Sequence, residues 1–185
     1  MNPFTLDATD PCGARAGWLA TMSGERLATP LFQPVATAGS LKTLDWRDVE
    51  KLGYRHVLMN TYHLVVRPGV ERIRAAGGVK GYTGWGGSVL TDSGGYQVFS
   101  LAAKRSIREG GVSFTDHIEG SRHEFTPRSV LQAQLAFGVD FAMALDICTG
   151  LPASRNRVAR DMEITHRWAK EQAGMWDELA GNSVA

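Results

Sequence analysis

Two rhythms of apolar and polar positions run along the chain, and their order predicts its architecture. Residues 15–36, "RAGWLATMSGERLATPLFQPVA", alternate in short runs broken at Ser23-Gly24, which predicts short strands joined by a hairpin. Residues 43–53, "TLDWRDVEKLG", shift to a helical period, with Leu44, Val49 and Leu52 near one face and Gly53 as the stop. "RHVLMN" (55–60) is then a short strand. "PGVERIRAAGG" (68–78) is a helix with Pro68 before its first turn and Gly77-Gly78 after its last. "SVLTD" (88–92) is another short strand. "GVSFTDHIEGSRHEF" (111–125) alternates about Glu119-Gly120 and predicts a second hairpin. In "TPRSVLQAQLAFG" (126–138) Thr126 suits an N-cap, Pro127 the first helical position and Gly138 the stop. "DFAMALD" (140–146) reads as a buried strand, with Met143 in the core. The segment 154–179 reads as a long amphipathic helix with Val158, Met162, Thr165 and Trp168 on one side.

Strands that alternate with helices imply parallel βα units. Two of the predicted strands end in aspartate, Asp92 and Asp146. Ligands of α/β folds bind where loops leave the carboxyl ends of the strands. Both carboxylates are therefore expected at one end of one sheet, facing one pocket. After Asp92 comes Ser93, then Gly94 and Gly95, which lack Cβ atoms and let a flat ligand approach the backbone. Tyr96 offers a ring for stacking on a base. Asp146 matches the adjacent N1–H and exocyclic NH₂ donors of a guanine edge, as a carboxylate matches an arginine fork. The same stretch also reads as an ordinary turn, in which Asp or Ser caps a helix and Gly supplies positive φ.

Composition narrows the class without choosing the ligand. The chain has 185 residues, enough for one domain with a core. Lys plus Arg number 20 and Asp plus Glu 19, a balance that neither argues for nucleic acid nor against a local basic patch. The cysteines are Cys12 and Cys148, too few for a disulfide framework or a Cys-rich zinc site, which fits a reducing cytoplasm. "MNPFTLDATD" is polar and acidic, unlike a secretory signal, and no apolar run reaches the ~20 residues that span a bilayer. His63 reads as a structural histidine, and His117 and His123 as exposed hairpin residues with no zinc spacing to Cys148. Arg155, Arg157 and Arg160 read as a solvated helix face, and Trp168 and Trp176 as packing residues.

Several longer stretches carry a resemblance. "FQPVATAGSLK", "LMNTYHLVVRPG", "GW", "LTDSGGYQVFSL", "GVSFTDHIEGSRHEFTPRSVLQAQLAFGVD" and "MALDICTGLPAS" occur in this order. Together they resemble the tRNA-guanine transglycosylases, or queuine tRNA-ribosyltransferases, over nearly the whole chain. The resemblance implies a (β/α)₈ TIM-type barrel with an N-terminal antiparallel segment, of which residues 1–185 form one partial domain, the first half of the barrel. It implies exchange of guanine in tRNA for a 7-deazaguanine base of the queuosine pathway. Position by position, it makes Asp92 the acid/base residue, with Ser93, Gly94, Gly95, Tyr96, Asp146 and Cys148 around the base and Asn60 positioning Asp92. It places the attacking aspartate and the Cys/His zinc ligands in a C-terminal half, so no metal or cofactor is expected here and the isolated chain is expected to be inactive. Its implied partners are tRNA, the base, and a second copy or the C-terminal half, with no membrane. Ile147 stands where bacterial members usually carry an acidic residue, which bears on the choice of incoming base. Two other classes fit the same residues: a non-catalytic tRNA-binding or partner subunit, and a related transglycosylase acting on DNA.

Overall fold

The computed structural model describes residues 3–102 and 104–181 as a mixed α/β fold with three small sheets. The first is an antiparallel meander of β1 (Phe4–Thr9), β2 (Arg15–Ala20) and β3 (Arg26–Thr29). β2 and β3 turn at the predicted Ser23-Gly24, where Gly24 takes φ +85°. The polar segment before them forms β1, a strand the sequence pattern did not signal. Its residues are mostly exposed, so it has no inward stripe to read.

The second sheet is parallel, in the order β4 (His56–Met59), β5 (Ser88–Thr91), β9 (Phe141–Ala142). Val57, Met59 and Val89 are completely buried, as expected of strands covered on both faces. α1 (Trp46–Lys51) precedes β4, and α2 (Thr61–Val66), α3 (Val70–Ala75) and α4 (Gly78–Thr83) lie between β4 and β5. The third sheet is antiparallel: β6 (Lys104–Arg108), β7 (Gly111–Thr115) and β8 (Arg122–Phe125), entered from α5 (Gly95–Leu101). α6 (Pro127–Phe137) begins at Thr126 with a reciprocal capping box to Ser129 and ends at Gly138, φ +66°, as its sequence predicts. α7 (Arg155–Gly181) closes the described chain.

Four expectations are corrected. In α1 only Val49 is buried, because Asp45 caps the helix and leaves Leu44 outside it, while Leu52 ends it in solvent. Gly78 does not merely end α3 but starts α4. Met143 is half exposed, since β9 pairs only through Phe141 and Ala142. α7 buries Asp161, Ile164, Trp168, Gln172, Met175 and Leu179, while Val158 and Met162 face outward. The rotation of that face has a cause. Leu145 N–H donates to Gln172 Oε1 at 2.6 Å, Ile147 N–H to Thr165 Oγ1 at 3.1 Å, and Thr149 Oγ1 to Asp161 Oδ2 at 2.8 Å. Polar side chains of α7 thus satisfy every second residue of an extended segment that has no strand beside it there.

The amino end of the parallel sheet is fixed by Asp140 and His56. Asp140, almost wholly buried, accepts from Lys80 Nζ (2.9 Å), Val89 N–H (3.0 Å), Ser23 N–H (3.1 Å) and Ser23 Oγ (2.8 Å), which ties the first hairpin and α4 to the sheet. His56 lies between Ser88 Oγ (2.9 Å) and Gln33 Nε2 (3.0 Å). Burial depresses its pKa below that of a free histidine, against a smaller opposing pull from Asp140. The unfolded chain therefore takes up a proton near pH ~6.5 that the folded chain refuses. This contribution to stability is complete above about pH 6.5 and drains as pH falls through the lowered value. Urea midpoints measured between about pH 7.5 and about pH 5.5 are expected to fall, and to fall less steeply in His56→Asn. Equal slopes would remove His56 from the account.

Candidate active site

The carboxyl end of the parallel sheet gathers seven of the eight site residues singled out by sequence, all but Tyr96. Asn60 follows β4, and Asp92 follows β5. Asp146 comes four residues beyond β9, on the extended segment held by α7. Ser93, next to Asp92 in the chain, ties Asp146 to the glycine turn: its hydroxyl donates to Asp146 Oδ1 at 2.6 Å and accepts from Gly95 N–H at 3.1 Å.

Asp92 is held from four directions. Oδ1 accepts from the N–H groups of Thr61 (2.9 Å) and Gly94 (3.1 Å), and Oδ2 from Asn60 Nδ2 (2.5 Å) and Gln97 Nε2 (3.0 Å). Four donors fill the acceptor capacity of a carboxylate. The carbonyl of Asp92 is also fixed, by Thr61 Oγ1 (2.5 Å) and Gln134 Nε2 (3.0 Å). Gln134, fully buried on α6, donates as well to Met143 O (3.1 Å) and so clamps the ends of β5 and β9 together.

The two glycines are required by close approach. Gly94 adopts φ +80°, and a Cβ on it would stand 2.8 Å from Phe125 Cε2. A Cβ on Gly95 would stand 2.5 Å from Asp146 Oδ1. Any side chain at Gly95 would push Asp146 out of place.

A narrow cleft of about 280 Å³, its open mouth included, runs beside Asp146 and Cys148, with Gly95, Phe99, Arg105 and Trp168 among its walls. Burial pushes the Cys148 thiol up, and Asp146 adds to the shift, so the group is a neutral wall. Tyr96 is not on that wall. It sits at the start of α5, 61% exposed, with its ring centroid 6.4 Å from that of Phe99.

Near Asp92 lies an aromatic cluster. Tyr62 is buried, and its hydroxyl pairs with Nδ1 of the exposed His117 at 3.0 Å. His63 packs edge-on against both rings. Burial lowers its pKa, His117 adds to this, and Asp92 opposes it. His123 was expected to be exposed but is half-buried, because Asp116 accepts from its Nε2 at 2.9 Å. Arg157 pairs with Asp161 at 2.7 Å, while Arg155 and Arg160 are exposed.

Sequence reasoning missed Thr61, Gln97, Gln134 and Gln172, and it placed Thr165 on the packed side of its helix without giving it a partner. Gln134 carried a readable signal: it falls on the buried stripe of α6 among Val130, Leu131 and Phe137. A polar residue on a buried stripe needs a specific partner. Among the described residues, no group of three or more His, Cys, Asp or Glu side chains is arranged to hold a metal ion, and no helix is long and apolar enough to cross a membrane.

A family model described as queuine tRNA-ribosyltransferase matches residues 10–184, and the chain belongs to that family. A queuine tRNA-ribosyltransferase of Koribacter versatilis is 46% identical over 174 residues, 94% of this chain and 45% of that protein. One from Dictyoglomus turgidum is 50% identical over 157 residues, 85% of this chain and 40% of that protein. One from Pelotomaculum thermopropionicum is 46% identical over 168 residues, 90% of this chain and 45% of that protein. The chain thus spans less than half the length of these relatives.

Proposed function

We propose that this chain supplies the base-recognition and acid/base side of a tRNA-guanine transglycosylase. The bonding of Ser93 to Asp146, beside a fully hydrogen-bonded Asp92, carries the reading. Asp146 reads the guanine edge through the acceptor capacity that Ser93 leaves free, with Cys148 and the Gly94-Gly95 backbone around the base and Tyr96 stacking from outside. Asp92 moves the proton. When the C1′–N bond breaks, guanine leaves with a proton from Asp92, and the entering 7-deazaguanine returns one to Asp92 before it attacks C1′. The cycle therefore starts with Asp92 protonated, and to carry that proton, and later to take one back, Asp92 must release one of its four donors. Gln97 suits this step, because its Oε1 is buried without a partner and the amide, turned over, would accept from a protonated Asp92.

On this reading the parallel sheet belongs to the first half of a TIM-type barrel, the first meander is its N-terminal antiparallel segment, and the attacking carboxylate and zinc ligands lie in the remaining length of the relatives. The partners are tRNA and its base in the cytoplasm, and a second copy or the remaining half of the barrel. Equilibrium dialysis of the chain against labelled guanine and adenine tests the pocket. Guanine is expected to bind and adenine, which lacks the paired donors, to bind at least tenfold more weakly. Equal retention of the two bases would end this assignment.

A further inference from the structure

The outer face of the third sheet has no role in the site described above. Cross-strand pairs place Lys104 opposite Thr115 and Ser106 opposite Ser113 on β6 and β7, and Thr115 opposite Arg122 on β8. By the two-residue period of a strand, these residues and Arg108 share one face. The other face carries Val112, Phe114 and Phe125 into the core. Lys104, Arg108 and Arg122 are exposed and have no ion-pair partner among the described residues, and Glu124 is the one carboxylate on their face. A groove of about 580 Å³ runs over this face, lined by Lys104, Arg122 and the hydroxyls of Ser106, Ser113 and Thr115. Arg105 lines both this groove and the cleft at Asp146.

We propose that this face is the track for the phosphodiester backbone of the RNA whose base enters the cleft; the proposal rests on the reading of the chain as a tRNA-guanine transglycosylase. Three unpaired cations match a polyanion, and hydroxyls between them match phosphate and ribose oxygens. Continuity through Arg105 sets the direction. Its guanidinium is stacked on Phe99 with the ring centroid 4.7 Å away and donates to Phe99 O at 2.6 Å, so its side chain is fixed toward the cleft while its neighbours Lys104 and Ser106 face the groove. A strand that leaves the cleft at Arg105 meets Lys104 first and Arg122 across the sheet.

The test uses the whole chain and a labelled RNA stem–loop with an unpaired guanosine in its loop. Affinity is measured over a range of salt for the chain, for Lys104→Gln/Arg108→Gln/Arg122→Gln, and for Lys42→Gln/Arg72→Gln/Lys170→Gln, which removes equal charge elsewhere on the surface. Loss of three phosphate contacts should weaken RNA binding about tenfold or more and flatten the log Kd against log salt slope by about 2, at ~0.7 per phosphate. The control variant should keep affinity and slope within about twofold. Free guanine should bind the face variant as it binds the parent chain. If guanine binds but the face variant keeps the parent's RNA affinity and slope, the track is wrong and the pocket reading stands. Equal losses in the two triple variants would reduce the effect to net charge and overturn the track. RNA binding that is lost only in the face variant, with no guanine binding by the parent, would support the track and remove the pocket reading, while failure of the parent chain to bind RNA would overturn the track outright.

Discussion

Asp146→Ala is expected to weaken guanine binding by one to two orders of magnitude, and Asp146→Asn by about tenfold or less. The alanine variant leaves the N1–H and NH₂ donors of the base without an acceptor. A hydrogen bond to a charged group is worth ~1.5–3 kcal/mol, about 10- to 150-fold in affinity. The asparagine variant is milder because of Ser93. Its hydroxyl now donates to Asp146 Oδ1 at 2.6 Å, yet a hydroxyl also accepts, so it can turn to receive the new amide N–H. The amide oxygen then remains for one guanine donor. Titration calorimetry of each variant with guanine measures the order. Unchanged binding in both variants would mean that Asp146 does not read the base. Asparagine as damaging as alanine would mean that Ser93 is locked as a donor, a narrower failure that leaves the role of Asp146 intact.

The parts of the site legible in the sequence are those whose chemistry is local. Asp92, Ser93, Gly94 and Gly95 are adjacent in the chain, so their turn, their close approach and their carboxylate could be read together. The strand ends at Asn60 and Asp92 followed from apolar runs that stop at a polar residue. Asp146 was legible for a reason that needed correction. The apolar stretch before it is extended, but β9 covers only Phe141 and Ala142. The rest is held by Gln134, Thr165, Gln172 and Asp161, residues 9 to 27 positions away on the two flanking helices. Periodicity scores Asp161 and Gln172 as polar and turns the helix by them, which is why Val158 and Met162 were expected inside. The four-donor cradle of Asp92 was hidden because Thr61 contributes a backbone N–H and Gln97 reaches back to Asp92 from the first turn of α5. Tyr96 follows the opposite course. Its place beside the glycines suggested a wall, but the first turn of α5 points it to solvent.

The 185-residue chain alone is expected to exchange no measurable guanine into tRNA. The glycosidic exchange needs one carboxylate to attack C1′ and another group to handle the proton. Each buried or half-buried aspartate of this chain near that end of the sheet is already engaged. Asp92 meets four N–H donors, which leaves no free lone pair for attack on carbon. Asp146 is bound by Ser93 and faces the cleft where the base would lie. Asp116 closes the turn of its own hairpin through the N–H groups of Ile118, Glu119 and Ser121, and Asp161 holds Thr149 and Arg157. Asp140 is at the opposite end of the sheet, tied to Lys80. The relatives run to more than twice the matched length, and the function proposed above puts the attacking carboxylate in that remainder. Radiolabelled guanine exchange should therefore stay at background for the chain alone. It should rise when the remaining polypeptide of the Koribacter versatilis relative is added, and return to background when the added half is combined with Asp92→Asn. Robust exchange by the purified chain with nothing added would reverse the assignment. One of the two carboxylates would then be the nucleophile, and Asp92, by shedding Gln97 and Asn60 as donors, would be the first to examine by trapping a covalent RNA adduct.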